Sequence, residues 1–101
     1  MKAYLITPDN QSIEEIEIST LQEIKTVIGF DTIESDEIGT DGDRLYFDEE
    51  CFLRGSSGRF QVDNLVPVSG KGIIIASNGE SETLLDAVIS MEELRQRIKY
   101  L

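Results

Sequence analysis

The stretch Gly72-Ile73-Ile74-Ile75-Ala76 decides the fold. Four successive apolar side chains leave no polar face, so this strand belongs inside a sheet rather than at its border. Just upstream, residues 65–68 contain Pro67. Proline lacks a backbone donor, so this segment is an edge or a connection. Downstream, Asn78-Gly79 is a turn signal, and residues 83–89 fit strand or helix equally. From Ser90 the pattern is helical, with Met91, Leu94, Ile98 and Leu101 recurring at the spacing of one face. Ser90 and Glu93 make a capping box, and Arg95, Arg97 and Lys99 lie toward the other end, where positive charge suits the helix dipole.

The N-terminal half supplies further strands. Residues 2–7 are β-type and end at Pro8-Asp9-Asn10, a turn. In residues 12–19, Ile16 and Ile18 alternate with Glu15 and Glu17, which predicts a half-buried strand and a hairpin with the first segment. Thr20 and Glu23 then open a helix carrying Leu21, Ile24, Val27 and Ile28, and Gly29 suits the left-handed position that closes it. Short strands are expected at 32–38 and 44–48, separated by the turn Gly39-Thr40-Asp41-Gly42-Asp43. Residues 51–54 and 59–62 flank Gly55-Ser56-Ser57-Gly58, which predicts another hairpin.

These segments make an α+β protein: a small, mostly antiparallel sheet with one helix after strand two and a C-terminal helix. The helices can bury their apolar stripes only against that sheet. A chain of 101 residues fits one domain, 1–101. No apolar run approaches the roughly 20 residues needed to span a bilayer. The N-terminus meets Pro8 and Asp9 too early for a secretory signal, and a lone Cys51 forms no internal disulfide. The expected location is cytoplasmic.

Charge is distributed unevenly. The net charge is −11, and all of it comes from residues 1–50, where 14 acids face 3 bases. The densest run comprises Asp31, Glu34, Asp36, Glu37, Asp41, Asp43, Asp48, Glu49 and Glu50, interrupted only by Arg44. Such a surface repels phosphate backbones and anionic lipids and attracts basic proteins. These nine acids are the candidate partner-binding residues. Solubility is the plainer explanation of the same acidity.

Several chemistries lack their parts. The chain has no histidine, which removes histidine general bases, serine–histidine triads and imidazole ligation. One cysteine builds no structural zinc site, and Cys51 beside Phe52 and Leu53 reads as a small core residue. The paired acids fall in expected turns, where nothing would tune a carboxyl for acid–base work. In Asp41-Gly42-Asp43, the following Arg44 and Leu45 break the order of a calcium loop. Ser69-Gly70-Lys71-Gly72 resembles a P-loop fragment, but Leu65 replaces the leading glycine and Gly72 the hydroxyl residue. No enzyme, cofactor or metal is expected. An alternative ligand site would use Arg54, Gly55, Gly58, Arg59 and Lys71, whose glycine loops and cations suit a nucleotide or other small anion.

Three pieces carry a resemblance. They are Lys2-Ala3-Tyr4-Leu5-Ile6 with Pro8 and Asp9, Gly42-Asp43 with Leu45-Tyr46 and Asp48-Glu49, and Pro67 with Gly70-Lys71-Gly72 and Ile73-Ile74-Ile75. Together, over roughly residues 1–80, the chain resembles a family of small phage- and plasmid-encoded proteins that carry an uncharacterised domain. Residues 34–41 depart from it. The resemblance carries over no catalytic residue. It implies an origin on a mobile genetic element, where small acidic proteins often act against host defences.

The expected function is therefore that of a non-enzymatic interaction protein. Its partner would be a basic protein surface, such as a host nucleic-acid-binding enzyme inhibited through an acidic, DNA-mimicking face. Direct nucleic-acid or membrane binding is not expected. A nucleotide binder, or an accessory domain assembling through Leu101 and the basic last helix, is the alternative.

Overall fold

The computed structural model describes residues 1–55, 58–78 and 83–101. Its strands are β1 (Lys2–Thr7), β2 (Ser12–Glu17), β3 (Ile33–Glu37), β4 (Asp43–Asp48), β5 (Arg59–Val62), β6 (Val68–Ser69), β7 (Gly72–Asn78), β8 (Thr83–Leu85) and β9 (Ile98–Tyr100). The helices are α1 (Leu21–Ile28) and α2 (Met91–Arg97). Among the described residues all strand pairings are antiparallel, and the class is α+β.

The main sheet runs β2-β1-β7-β4-β3, with β8 paired to the far end of β7. The triple isoleucine lies at its centre: Ile74 opposes Tyr4 on one side and Leu45 on the other. Successive side chains of a strand face opposite ways, so both faces of β7 must be covered. Ile73 and Ile75 join Ala3, Tyr46 and the α1 residues Ile24 and Ile28 in one core. Ile74 joins Tyr4, Leu45, Phe60, Val62 and Leu94 in the other, beneath α2 and a second sheet of order β6-β5-β9. Among the described residues the fold thus has two sheets, with a helix on the outer face of the larger one.

Each helix start forms the hydroxyl half of its expected capping box. The Thr20 hydroxyl accepts the Glu23 N–H at 3.2 Å, and the Ser90 hydroxyl accepts that of Glu93 at 3.1 Å. Gly29 closes α1 at φ 95°, left-handed backbone that favours glycine.

Two expectations are corrected. The pattern of 90–101 does not remain helical to its end: Ile98 turns extended, at φ −95° and ψ 134°. Residues 98–100 then pair with β5, Tyr100 opposite Phe60 and Ile98 opposite Val62. A border position beside β5 outcompetes another helical turn whose only support was spacing. The hairpin around Gly55 and Gly58 is likewise not made. Cys51–Leu53 is a 3-10 turn, and β5 pairs with β6 and β9 instead. Ser56 and Ser57 lie outside the described residues, as does Gly79 of the expected turn after Asn78.

The connection into α2 is fastened from below. Ala87 N–H donates to the Lys2 carbonyl at 2.8 Å, and the buried Tyr4 hydroxyl donates to that of Ile89 at 2.8 Å. No helix among the described residues is long and apolar enough to cross a membrane.

Candidate functional site

The nine candidate acids divide by where their backbone runs. Glu34, Asp36 and Glu37 belong to β3, a border strand that among the described residues pairs only with β4. Asp31 precedes that strand, and Asp41 lies in the turn after it; both are exposed. Glu34 opposes Phe47 and Asp36 opposes Leu45, so these two acids share one face of the sheet. Glu37 opposes Arg44 and takes the other face. Glu49 and Glu50 are exposed just beyond β4, near the beginning of β3, where Glu49 N–H donates to the Thr32 carbonyl.

Asp43 and Asp48 are corrections. At 4% and 3% exposure they offer no carboxylate to an outside partner. Asp43 turns inward and accepts the N–H groups of Val88 at 2.8 Å and Ile89 at 2.9 Å, which pins the approach to α2 against β4. Asp48 accepts from Arg54 Nε at 2.9 Å, from Glu50 N–H at 3.1 Å and from the Thr32 hydroxyl. Burial pushes the Asp48 carboxyl up, but the hydrogen bonds from Arg54, Thr32 and Glu50 outweigh it and hold the group below the usual aspartate range.

The acidity is not confined to β3. Glu14, Glu15 and Glu17 are exposed on β2, the opposite border of the same sheet. The N-terminal acids therefore gather along two borders, and only one of these holds the densest run.

The alternative ligand residues separate. Arg54 and Lys71 line one pocket of about 170 Å³, together with Pro8, Asp9, Ile28, Phe30, Cys51 and Gly70. Gly55, Gly58 and Arg59 do not line it. Arg54 is already engaged: it pairs with Asp48, reaches Glu50 at 3.4 Å and lies over the Phe30 ring at 4.1 Å. Arg59 lies over Phe52 at 5.3 Å. Gly58 packs on the turn after β1, where a Cβ would come within 2.6 Å of the Asp9 nitrogen. The anion nest expected across 55–58 includes Ser56 and Ser57 and so falls partly outside the described residues. At the other end of the chain, Arg97 of the basic last helix is held by Asp63 at 3.0 Å.

Charge patterning alone does not single out the apolar group beside the pocket. Phe30 is 38% exposed, Phe52 51% and Leu53 80%. The available signal is Phe30 directly after the helix-closing Gly29, an apolar residue placed just outside the helix it follows.

No family model, curated protein or solved structure matches the chain.

Proposed function

We propose that this chain is a non-enzymatic interaction protein that docks a basic protein surface along the β3 border. The observation that carries this is the position of β3, among the described residues a border strand bearing Glu34, Asp36 and Glu37 and continued at its two ends by Asp31 and Asp41, with Arg44 donating to its Ser35 carbonyl. Acidic side chains along an exposed border attract a basic extended segment and repel a second copy of themselves. The partner class we favour is a nucleic-acid-binding protein, in keeping with the mobile-element resemblance. Residues two apart on a strand are separated by about 6.6 Å. Glu34 and Asp36 thus present two carboxylates on one face of β3 at about that spacing.

The test compares two variants of equal charge change. Glu34→Lys/Asp36→Lys/Glu37→Lys reverses the β3 border, and Glu14→Lys/Glu15→Lys/Glu17→Lys reverses the β2 border. Binding of hexalysine at physiological ionic strength should weaken by about tenfold or more in the β3 variant, roughly 1.4 kcal/mol, and much less in the β2 variant. Equal losses would mean that hexalysine responds to net charge alone, leaving β3 no special role.

A further inference from the structure

The pocket beside Phe30 and the acidic border are parts of one surface. Phe30 lines the pocket, and Asp31 and Thr32 carry the chain from it to Ile33, the first residue of β3. On the paired strand, Asp48 opposes Ile33 and also lines the pocket. An extended segment lying along β3 would therefore reach the pocket at one end.

The pocket's size and lining favour an apolar guest. At about 170 Å³ it is close to the roughly 150 Å³ cavity that accepts a benzene ring. Pro8, Ile28, Phe30 and Cys51 supply apolar lining. The two cations among its lining residues, Arg54 and Lys71, are matched by two carboxylates, Asp48 and Asp9, so their formal charges sum to zero. A balanced lining gives little reason to capture a free anion, although Lys71 has no ion-pair partner among the described residues. Around it, Asp31, Glu49 and Glu50 are exposed. Phe52 and Leu53, next to Cys51 in its 3-10 turn, add uncovered apolar surface. Aromatic residues and arginine beside an apolar pocket, with charge at the margin, are the usual make-up of an interface centre.

The geometry points to an anchor pocket: the basic segment that lies along β3 inserts one aromatic or large aliphatic side chain between Phe30 and Cys51. This anchor rests on the docking surface proposed above, and names the second element its partner must carry. The recognised partner is thus a basic extended segment with a large apolar residue at the end that meets Phe30. Charge selects it along β3, and the pocket fixes its register.

Three capped peptides test this on the full chain: hexalysine with its first residue replaced by Phe, the same with its last residue replaced, and a control with Ala in place of Phe. Affinity is read by calorimetry, and position by amide shifts in nitrogen-15 NMR. The better phenylalanine peptide should bind about tenfold tighter than the alanine control and move the amides of Cys51, Arg54, Gly70 and Lys71. Phe30→Ala should reduce that advantage to about twofold or less, phenylalanine and alanine peptides being compared on the same variant. Phe30 is partly exposed, so this variant should keep the fold, and the retained β3 shifts verify that.

Equal affinities for phenylalanine and alanine peptides, with shifts confined to β3, would overturn the anchor and leave the acidic docking surface standing. Failure of every peptide to move β3 would overturn both. Inorganic phosphate, which carries no ring, serves as the small-anion probe. If it moved Gly70 and Lys71 while the peptides did not, the pocket would be an anion site and the anchor would be wrong.

Discussion

Phe60 occupies the space that a side chain on Gly72 would need: a Cβ at position 72 would lie 2.6 Å from the Phe60 Cζ and 3.1 Å from the Leu45 Cδ1. Gly72 begins the central strand and opposes both Ile6 and Phe47, while Phe60 belongs to the second sheet. The glycine therefore lets the smaller sheet seat its aromatic ring directly on the backbone of the larger one.

Adding a methyl group there overpacks a closed core. Gly72→Ala should cost about 1–3 kcal/mol, read by urea unfolding. The same substitution in a Phe60→Leu background should cost clearly less, because the two sites share one space and their effects are coupled. Additive losses would show that the ring is not the obstacle.

Asp43 and its surface neighbours should separate stability from binding. Asp43→Asn keeps the shape but gives the part-buried N–H of Val88 and the buried N–H of Ile89 one acceptor oxygen where there were two. Leaving a buried donor unmatched costs about 1–3 kcal/mol. The variant should melt earlier yet bind hexalysine as the wild type does below its melting range. Asp36→Asn should show the reverse.

Acid should loosen the fold through Asp48 and Asp63. Both carboxyls titrate below the ordinary aspartate value of 3.8, Asp63 chiefly through its hydrogen bond from Arg97, and Asp48 because its donors outweigh the cost of burial. The unfolded chain then takes up protons first as pH falls. The contribution is complete well above 3.8 and disappears as pH falls through the folded-state values. Urea unfolding at about pH 7 and about pH 3 should show this fall, and Asp48→Asn should show a smaller one. An undiminished fall in the variant would remove Asp48 from the account.

The β2 acids should act as a guard. Border strands left open tend to pair with other copies, and like charges along them prevent it. Glu14→Gln/Glu15→Gln/Glu17→Gln should grow in size with concentration by light scattering, under conditions where the wild type does not.

The central elements were legible because their signals were local and mutually consistent. Ile73-Ile74-Ile75 has no polar face, and Thr20, Ser90 and Gly29 mark helix ends whose capping needs only neighbouring residues. What escaped was set by distant partners. The spacing of Met91, Leu94 and Ile98 suits a helix, but β5 claims residues 98–100 for a sheet that nothing nearby in sequence announces. Charge showed where acids are dense but not which ones turn inward. Asp43 is buried because unpaired N–H groups 45 and 46 residues away require it, and Asp48 because Arg54 and Thr32 converge on it. The pocket was hidden for the same reason, since Pro8, Phe30, Cys51 and Gly70 meet only once the sheet has formed.

An amide-shift map of the wild-type chain titrated with hexalysine at physiological ionic strength addresses the docking border most directly. Shifts should concentrate on β3 and the Asp41 turn, with the β2 amides beside Glu14, Glu15 and Glu17 nearly still. Shifts of equal size on both borders, or none on β3, would contradict the assignment of β3 as the surface that receives a basic partner.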